Sequence, residues 1–167
     1  MSMKQTLKKW FVSSVVLLAG AGFVYGQSTE GKRLMNHATG PFEVKVVPSG
    51  HTPSGSEEFG EMSFTKVLSG NMVGTSKGLM LTSSTSSSGA MAYVALETVT
   101  ASLHGSSGTF VLMHNATTRK GEPEADSLHI VVVPGSGTGA LTGITGTLVI
   151  QKGAQGNHFY SFEYDLP

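Results

Sequence analysis

A short pattern occurs twice in this chain, 38 positions apart: an apolar residue, two spaced glycines, then a β-branched run. The first copy is Leu103-x-Gly105-x-x-Gly108-Thr109-Phe110-Val111-Leu112, and the second is Leu141-x-Gly143-x-x-Gly146-Thr147-Leu148-Val149-Ile150. Leu68-x-Gly70-x-x-x-Gly74-Thr75 is a looser copy. Each reads as a corner, in which an apolar residue ends one strand, glycine permits positive φ or a close approach, and the next strand begins. Corners repeated in this way bend a sheet until it closes. Closure removes the unpaired edges that a Ser-, Thr- and Val-rich chain would otherwise present for aggregation.

Between such breaks lie eight strand candidates: Phe42–Val47, Glu61–Leu68, Met72–Thr82, Ala90–Leu103, Thr109–Thr117, Leu128–Val133, Thr147–Gln151 and Asn157–Tyr164. Several alternate apolar and polar residues, as half-buried strands do. Leu128–Val133 is apolar on both faces, which predicts a strand covered on both sides. The segments Pro48 to Gly60, Thr82 to Gly89 and Thr118 to Ser127 read as loops by their turn residues, Ser-rich run and charge cluster. No helix is expected. Charged residues are only 13% of the chain and glycines number 22, a balance that disfavours surface helices. The chain reads as all-β, a sandwich or barrel.

Residues 1–26 read as an export signal. Lys4, Lys8 and Lys9 precede the apolar run Trp10 to Leu18 and the small residues Ala19 to Gly26, with cleavage expected after Gly26 in preference to Ala21. A membrane anchor is the competing reading, but Trp10 to Tyr25 falls short of the roughly 20 residues a spanning helix needs. Residues 27–40 read as a flexible lead-in and 41–167 as the barrel domain. Loss of three lysines would leave the exported chain at a net charge near −3. That makes the chain a poor candidate for nucleic acid, and neither nucleic acid nor membrane contact is expected after signal removal. With no cysteine, disulfides and thiolate metal sites are excluded, and stability must come from packing.

The motifs that suggest chemistry mostly fail on context. Gly74-Thr75-Ser76-Lys77-Gly78 fits G-x-S-x-G, yet Leu79-Met80-Leu81 continues as strand where a nucleophile elbow needs a helix. The glycine-rich stretch Gly135 to Gly146 has Ala140 where a dinucleotide fingerprint wants glycine, and reads instead as a hairpin corner. The six histidines form no metal-ligand spacing, so no metal and no cofactor are expected. Asn115-Ala116-Thr117 matches a glycosylation sequon, which matters only on a eukaryotic secretory route.

More informative are ionisable residues inside apolar runs. Glu97 lies among Val94, Leu96 and Val99, and Glu163 between Phe162 and Tyr164. His114 shares a strand face with Phe110 and Leu112. A carboxylate or imidazole facing a barrel lumen is partly desolvated, and can anchor a ligand or move a proton. Parity turns Glu163 towards water and His114 towards the lumen. His114, Glu97, Phe110, Leu112 and Glu163 form the candidate ligand-binding set, and no catalytic residue is assigned.

Val131-Val132-Val133-Pro134-Gly135-Ser136-Gly137-Thr138-Gly139-Ala140-Leu141, running on to Gly146-Thr147, resembles the signature of a bacterial family of domains of unknown function. So do Tyr93-Val94-Ala95-Leu96-Glu97, Gly108-Thr109-Phe110-Val111-Leu112-Met113-His114 and Phe162-Glu163-Tyr164. The resemblance spans roughly Gly40 to Leu166, and the export segment and Ser-rich run depart from it. The glycine-rich corner is also similar to that of allene oxide cyclases and dirigent proteins. These resemblances imply a single eight-stranded antiparallel closed barrel, allene-oxide-cyclase-like and broadly calycin-like. They bring no activity and no cavity residue.

An eight-stranded barrel has an interior either filled by side chains or just wide enough for one small ligand. The expected function is therefore that of an exported module binding a small, largely apolar ligand. Two alternatives stand beside it. One is a cofactor-free cyclase or isomerase acting on a reactive hydrophobic intermediate. The other is a structural module with a filled lumen, for which a homo-oligomer is the expected partner.

Overall fold

A computed structural model of the protein describes residues 35–50, 59–84, 89–119 and 127–167. The expected export signal and most of the lead-in lie outside the described residues. Eight strands follow in order: β1 (Asn36–Pro48), β2 (Phe59–Leu68), β3 (Met72–Ser84), β4 (Ala90–Leu103), β5 (Ser106–Arg119), β6 (Ser127–Val132), β7 (Thr145–Lys152) and β8 (His158–Asp165). They pair antiparallel in sequence order, and β8 returns to β1 to close the barrel.

Closure corrects one expected boundary. Residues 36–40, which read as lead-in, belong to β1, where Asn36 faces Tyr164 and Gly40 faces Tyr160. The polar composition of this stretch conceals a strand because its partner uses the backbone, and only Ala38 of the first four residues is buried. Gly40 has no room for a side chain: a Cβ there would collide with the carbonyl oxygen of Ser69 and approach the Tyr160 hydroxyl.

Period-2 alternation sorts side chains between lumen and exterior. In β4, Ala95, Glu97, Val99, Ala101 and Leu103 are buried, while Val94, Leu96, Thr98 and Thr100 are exposed. The outer faces of β3, β4 and β5 leave Leu79, Leu81, Val94, Leu96 and Met113 open to solvent. β6 is less symmetrical than its composition suggests. Ile130 and Val132 are buried inside, whereas outside His129 is exposed and Val131 only partly covered.

One end of the lumen is closed. Met72, Val99, Leu103, Phe110, Leu112, Phe162 and Tyr164 fill it, with Phe110 stacked on Phe162 at 5.8 Å and Phe162 on Tyr164 at 5.2 Å. The β6–β7 connection completes the plug. Gly135 to Gly146 is not the simple hairpin corner that its glycines predict, but part of a longer crossing with a 3-10 turn at Gly139–Leu141. The cause is apolar: Leu141 and Ile144 tuck completely into the barrel end. Thr138 holds the crossing to β5, its amide donating to the Thr109 carbonyl and its hydroxyl accepting from the Thr109 amide. The crossing takes over a seam that β6 and β7 pair at only Val131 and Thr147. The first copy of the corner behaves as expected, with His104 and Gly105 both at positive φ in a tight β4–β5 turn.

Tyr160 ties the closed end across the lumen. Its hydroxyl accepts from the Met72 amide at 2.8 Å and donates to the Ser69 carbonyl at 2.8 Å, and burial raises its pKa, so it stays a neutral donor. Tyr160→Phe orphans the Met72 amide. It should cost about 1–3 kcal/mol, read as a lower urea midpoint at unchanged slope.

Candidate functional site

Above the plug the lumen opens. A pocket of about 370 Å³ lies between the ends of the strands, walled by Phe42, Val44, Phe64, Met80, Leu128 and Ile150. Tyr93, Thr118, Lys152 and His158 also line it, and Lys66 and His114 contribute polar groups. Beneath Lys66 only a void of about 10 Å³ separates the pocket from the packed half.

The floor is an ionic cluster built by four consecutive strands. Lys66 on β2 and Ser76 on β3 are register partners, and Glu97 on β4 faces Gly78, two residues along β3 from Ser76. On β5, His114 pairs with Ala95, so it sits diagonally next to Glu97. Inward positions on adjacent strands are near neighbours, so four polar side chains spaced along the sequence converge on one point.

Glu97 is the centre, at 1% exposure. Its Oε2 accepts from the Lys66 Nζ at 2.7 Å, and its Oε1 accepts a short hydrogen bond from the Ser76 hydroxyl. The His114 Nε2 lies 2.8 Å from the same Oε2 but out of line, so it makes a close polar contact and not a well-aligned hydrogen bond. Burial by itself pushes the Glu97 carboxyl upward. The contact with His114, the charge and hydrogen bond of Lys66 and the Ser76 hydroxyl outweigh it and hold the carboxyl at about 2. Glu97 is therefore ionised, and Lys66 and Ser76 hold it in place.

Aromatic rings frame the cation. The Lys66 Nζ sits 5.1 Å from the centroid of Phe42 and 5.4 Å from that of Phe64, a cation–π distance to each. Phe64 in turn meets His114 edge-on at 6.2 Å. Gly78 makes room for that ring, since a Cβ there would strike Phe64 and the Leu96 carbonyl. Tyr93 keeps its proton strongly, because burial and then the negative charge of Glu97 both raise its pKa.

The five residues expected to bind a ligand divide by depth. His114 lines the pocket and Glu97 lies directly below it. Phe110 and Leu112 face the lumen but sit in the packed half, at 0% and 1% exposure. Glu163 points outward and is exposed, on the face its parity indicates. Lys66 and Ser76 join the site without having stood out in the sequence. Lys66 carries a signal there: Met62, Phe64, Lys66 and Leu68 share one strand face, with lysine the odd member. Ser76 draws notice in the sequence only as the centre of G-x-S-x-G. It is a mid-strand donor to the Glu97 carboxylate, with no strand-to-helix elbow around it.

Among the described residues, no group of three or more His, Asp or Glu side chains is placed to hold a metal ion. A second and larger hollow, of about 1010 Å³, runs along the outside of β2 to β5. Exposed apolar side chains such as Leu79, Leu96 and Met113 line it, together with Phe64 and His114.

A family model described as a protein of unknown function, DUF3224, matches residues 38–164. Among solved structures, the chain is similar to a DUF3224-family protein of unknown function from Shewanella oneidensis MR-1. That pair shares 36% identity over 80% of this chain and 98% of the other, with a TM-score of 0.71. No curated protein matches.

Proposed function

The chain belongs to the DUF3224 family, whose function is unknown, and we propose from its pocket that the barrel binds a small, largely apolar molecule in its open end. One observation carries this reading: the lumen is packed solid at one end and open at the other, with apolar walls above an ionic floor. A purely structural barrel has no need of such a floor. Burying an ion pair stabilises a fold little or not at all compared with apolar side chains of similar size. Perturbed, partly enclosed ionisable groups in a concave apolar pocket are the usual mark of a binding site. A volume of about 370 Å³ lies at the small end of the range for small-molecule sites.

The test uses N-phenyl-1-naphthylamine, a neutral apolar dye that brightens when it leaves water. It should bind saturably at one site per barrel and raise the melting temperature. Val44→Trp, which fills the pocket from a half-buried wall position, should abolish both effects without unfolding the barrel. Dye binding that is non-saturable, or unchanged in Val44→Trp, would put the ligand elsewhere.

A further inference from the structure

We infer that the ligand is an anion: a small molecule with an apolar body and one carboxylate-like oxyanion group, seated head-down on Lys66. This rests on the pocket being a binding site, and it specifies the chemistry of that site.

The groups bordering the pocket are unequal in sign. Lys66 and Lys152 line it, and among the described residues no Asp or Glu does. The nearby carboxylate, Glu97, lies below the floor at 1% exposure and is bonded to Lys66 and Ser76. Burial therefore keeps it from a molecule in the pocket. Lys66 does offer something. An ammonium group carries three donors, and Glu97 takes one. Lys66 lines both the pocket and the small void beneath it, so its side chain lies at the boundary between them. Tyr93, held protonated by burial and by Glu97, adds a neutral hydroxyl to the same wall.

An oxyanion placed on this floor would accept from Lys66 in a low-dielectric surrounding, where a charge-assisted hydrogen bond is strong. The rings of Phe42 and Phe64, which already flank the Nζ, would then bracket the first apolar atoms behind the head group. A cationic ligand would bring a second positive charge against Lys66 with no carboxylate to meet it. A neutral apolar ligand would leave two ammonium donors facing hydrocarbon, a costly arrangement. Of the three charge types, the anion alone completes the hydrogen bonding of the floor.

Three compounds of nearly equal size and different charge make the test: 1-naphthoate, 1-naphthamide and 1-naphthylmethylammonium, each displacing N-phenyl-1-naphthylamine. On the unmodified protein at neutral pH, naphthoate should bind at least about tenfold more tightly than naphthamide, and the ammonium compound most weakly. Lys66→Gln should bring naphthoate and naphthamide to about equal affinity. Lys66→Arg, which keeps the charge, should retain most of the difference, so the readout survives even if the glutamine variant fails to fold. If the dye binds but amide and carboxylate compete equally, or the ammonium compound wins, the anion assignment fails while the pocket stands. If the dye does not bind and naphthoate raises no melting temperature, the pocket reading itself has failed.

Discussion

Glu97→Gln should cost the barrel about 3–5 kcal/mol, the penalty of leaving a buried charge without its partner. The glutamine amide keeps the size of the side chain and can still accept from Ser76, so the loss isolates the charge. Lys66 is only 8% exposed and has no other acidic side chain within ion-pairing distance among the described residues. Folded domains of this size are stable by about 5–15 kcal/mol, so the loss takes a large share of the total. Replacing both partners with apolar residues, Lys66→Met with Glu97→Leu, should recover most of the loss, because the pair repays its own desolvation poorly. Urea denaturation of Lys66→Met, Glu97→Leu and the double variant would show a strong positive coupling. Additive losses would mean that Lys66 and Glu97 do not depend on each other. The same carboxylate sets an acid limit. Its folded pKa of about 2 lies below the ordinary 4.5, so it contributes stability that is fully present above pH 4.5. That contribution is lost as the pH falls through 4.5 towards 2, and amounts to about 3 kcal/mol at most. In Glu97→Gln, this segment of the acid-unfolding curve should flatten.

The strands are legible in the sequence because alternation is a local property. Seven of the eight are bounded closely by runs such as Glu61–Leu68 and Ala90–Leu103, which form β2 and β4. The eighth, β1, begins early because Asn36 to Gly40 is held by backbone pairing to β8, which leaves no apolar trace. Parity also places His114 inside and Glu163 outside. What parity cannot give is depth along the barrel axis. Phe110, Leu112 and His114 share one inward row, yet only His114 reaches the pocket, because the β6–β7 crossing folds Leu141 and Ile144 into the other end. That plug depends on a long-range packing choice by a segment whose glycines read equally well as a simple hairpin. Convergence is the other thing a single strand cannot show. Lys66 and Ser76 become visible as partners of Glu97 only once the register of β2, β3 and β4 is fixed.

Phe110→Ala turns that difference in depth into a measurement. Phe110 is completely buried against Phe162, and truncating an aromatic ring in such a place costs about 3–5 kcal/mol through lost transfer energy and the cavity left behind. The urea midpoint should fall accordingly. The pocket should be indifferent. Four residues of strand separate Phe110 from His114, about 13 Å along β5, and Leu112 and the Lys66–Glu97 pair stand between them. Under conditions where the variant remains folded, it should bind N-phenyl-1-naphthylamine with an affinity within about twofold of the unmodified protein, a difference of under about 0.5 kcal/mol. A packed half and an open half of one lumen thus predict opposite signatures: a large stability loss with binding intact for Phe110→Ala, and binding lost with stability intact for Val44→Trp. If Phe110→Ala weakened dye binding tenfold or more, the ionic floor would not be sealing the lumen, and the ligand would reach down to the aromatic stack of Phe110, Phe162 and Tyr164.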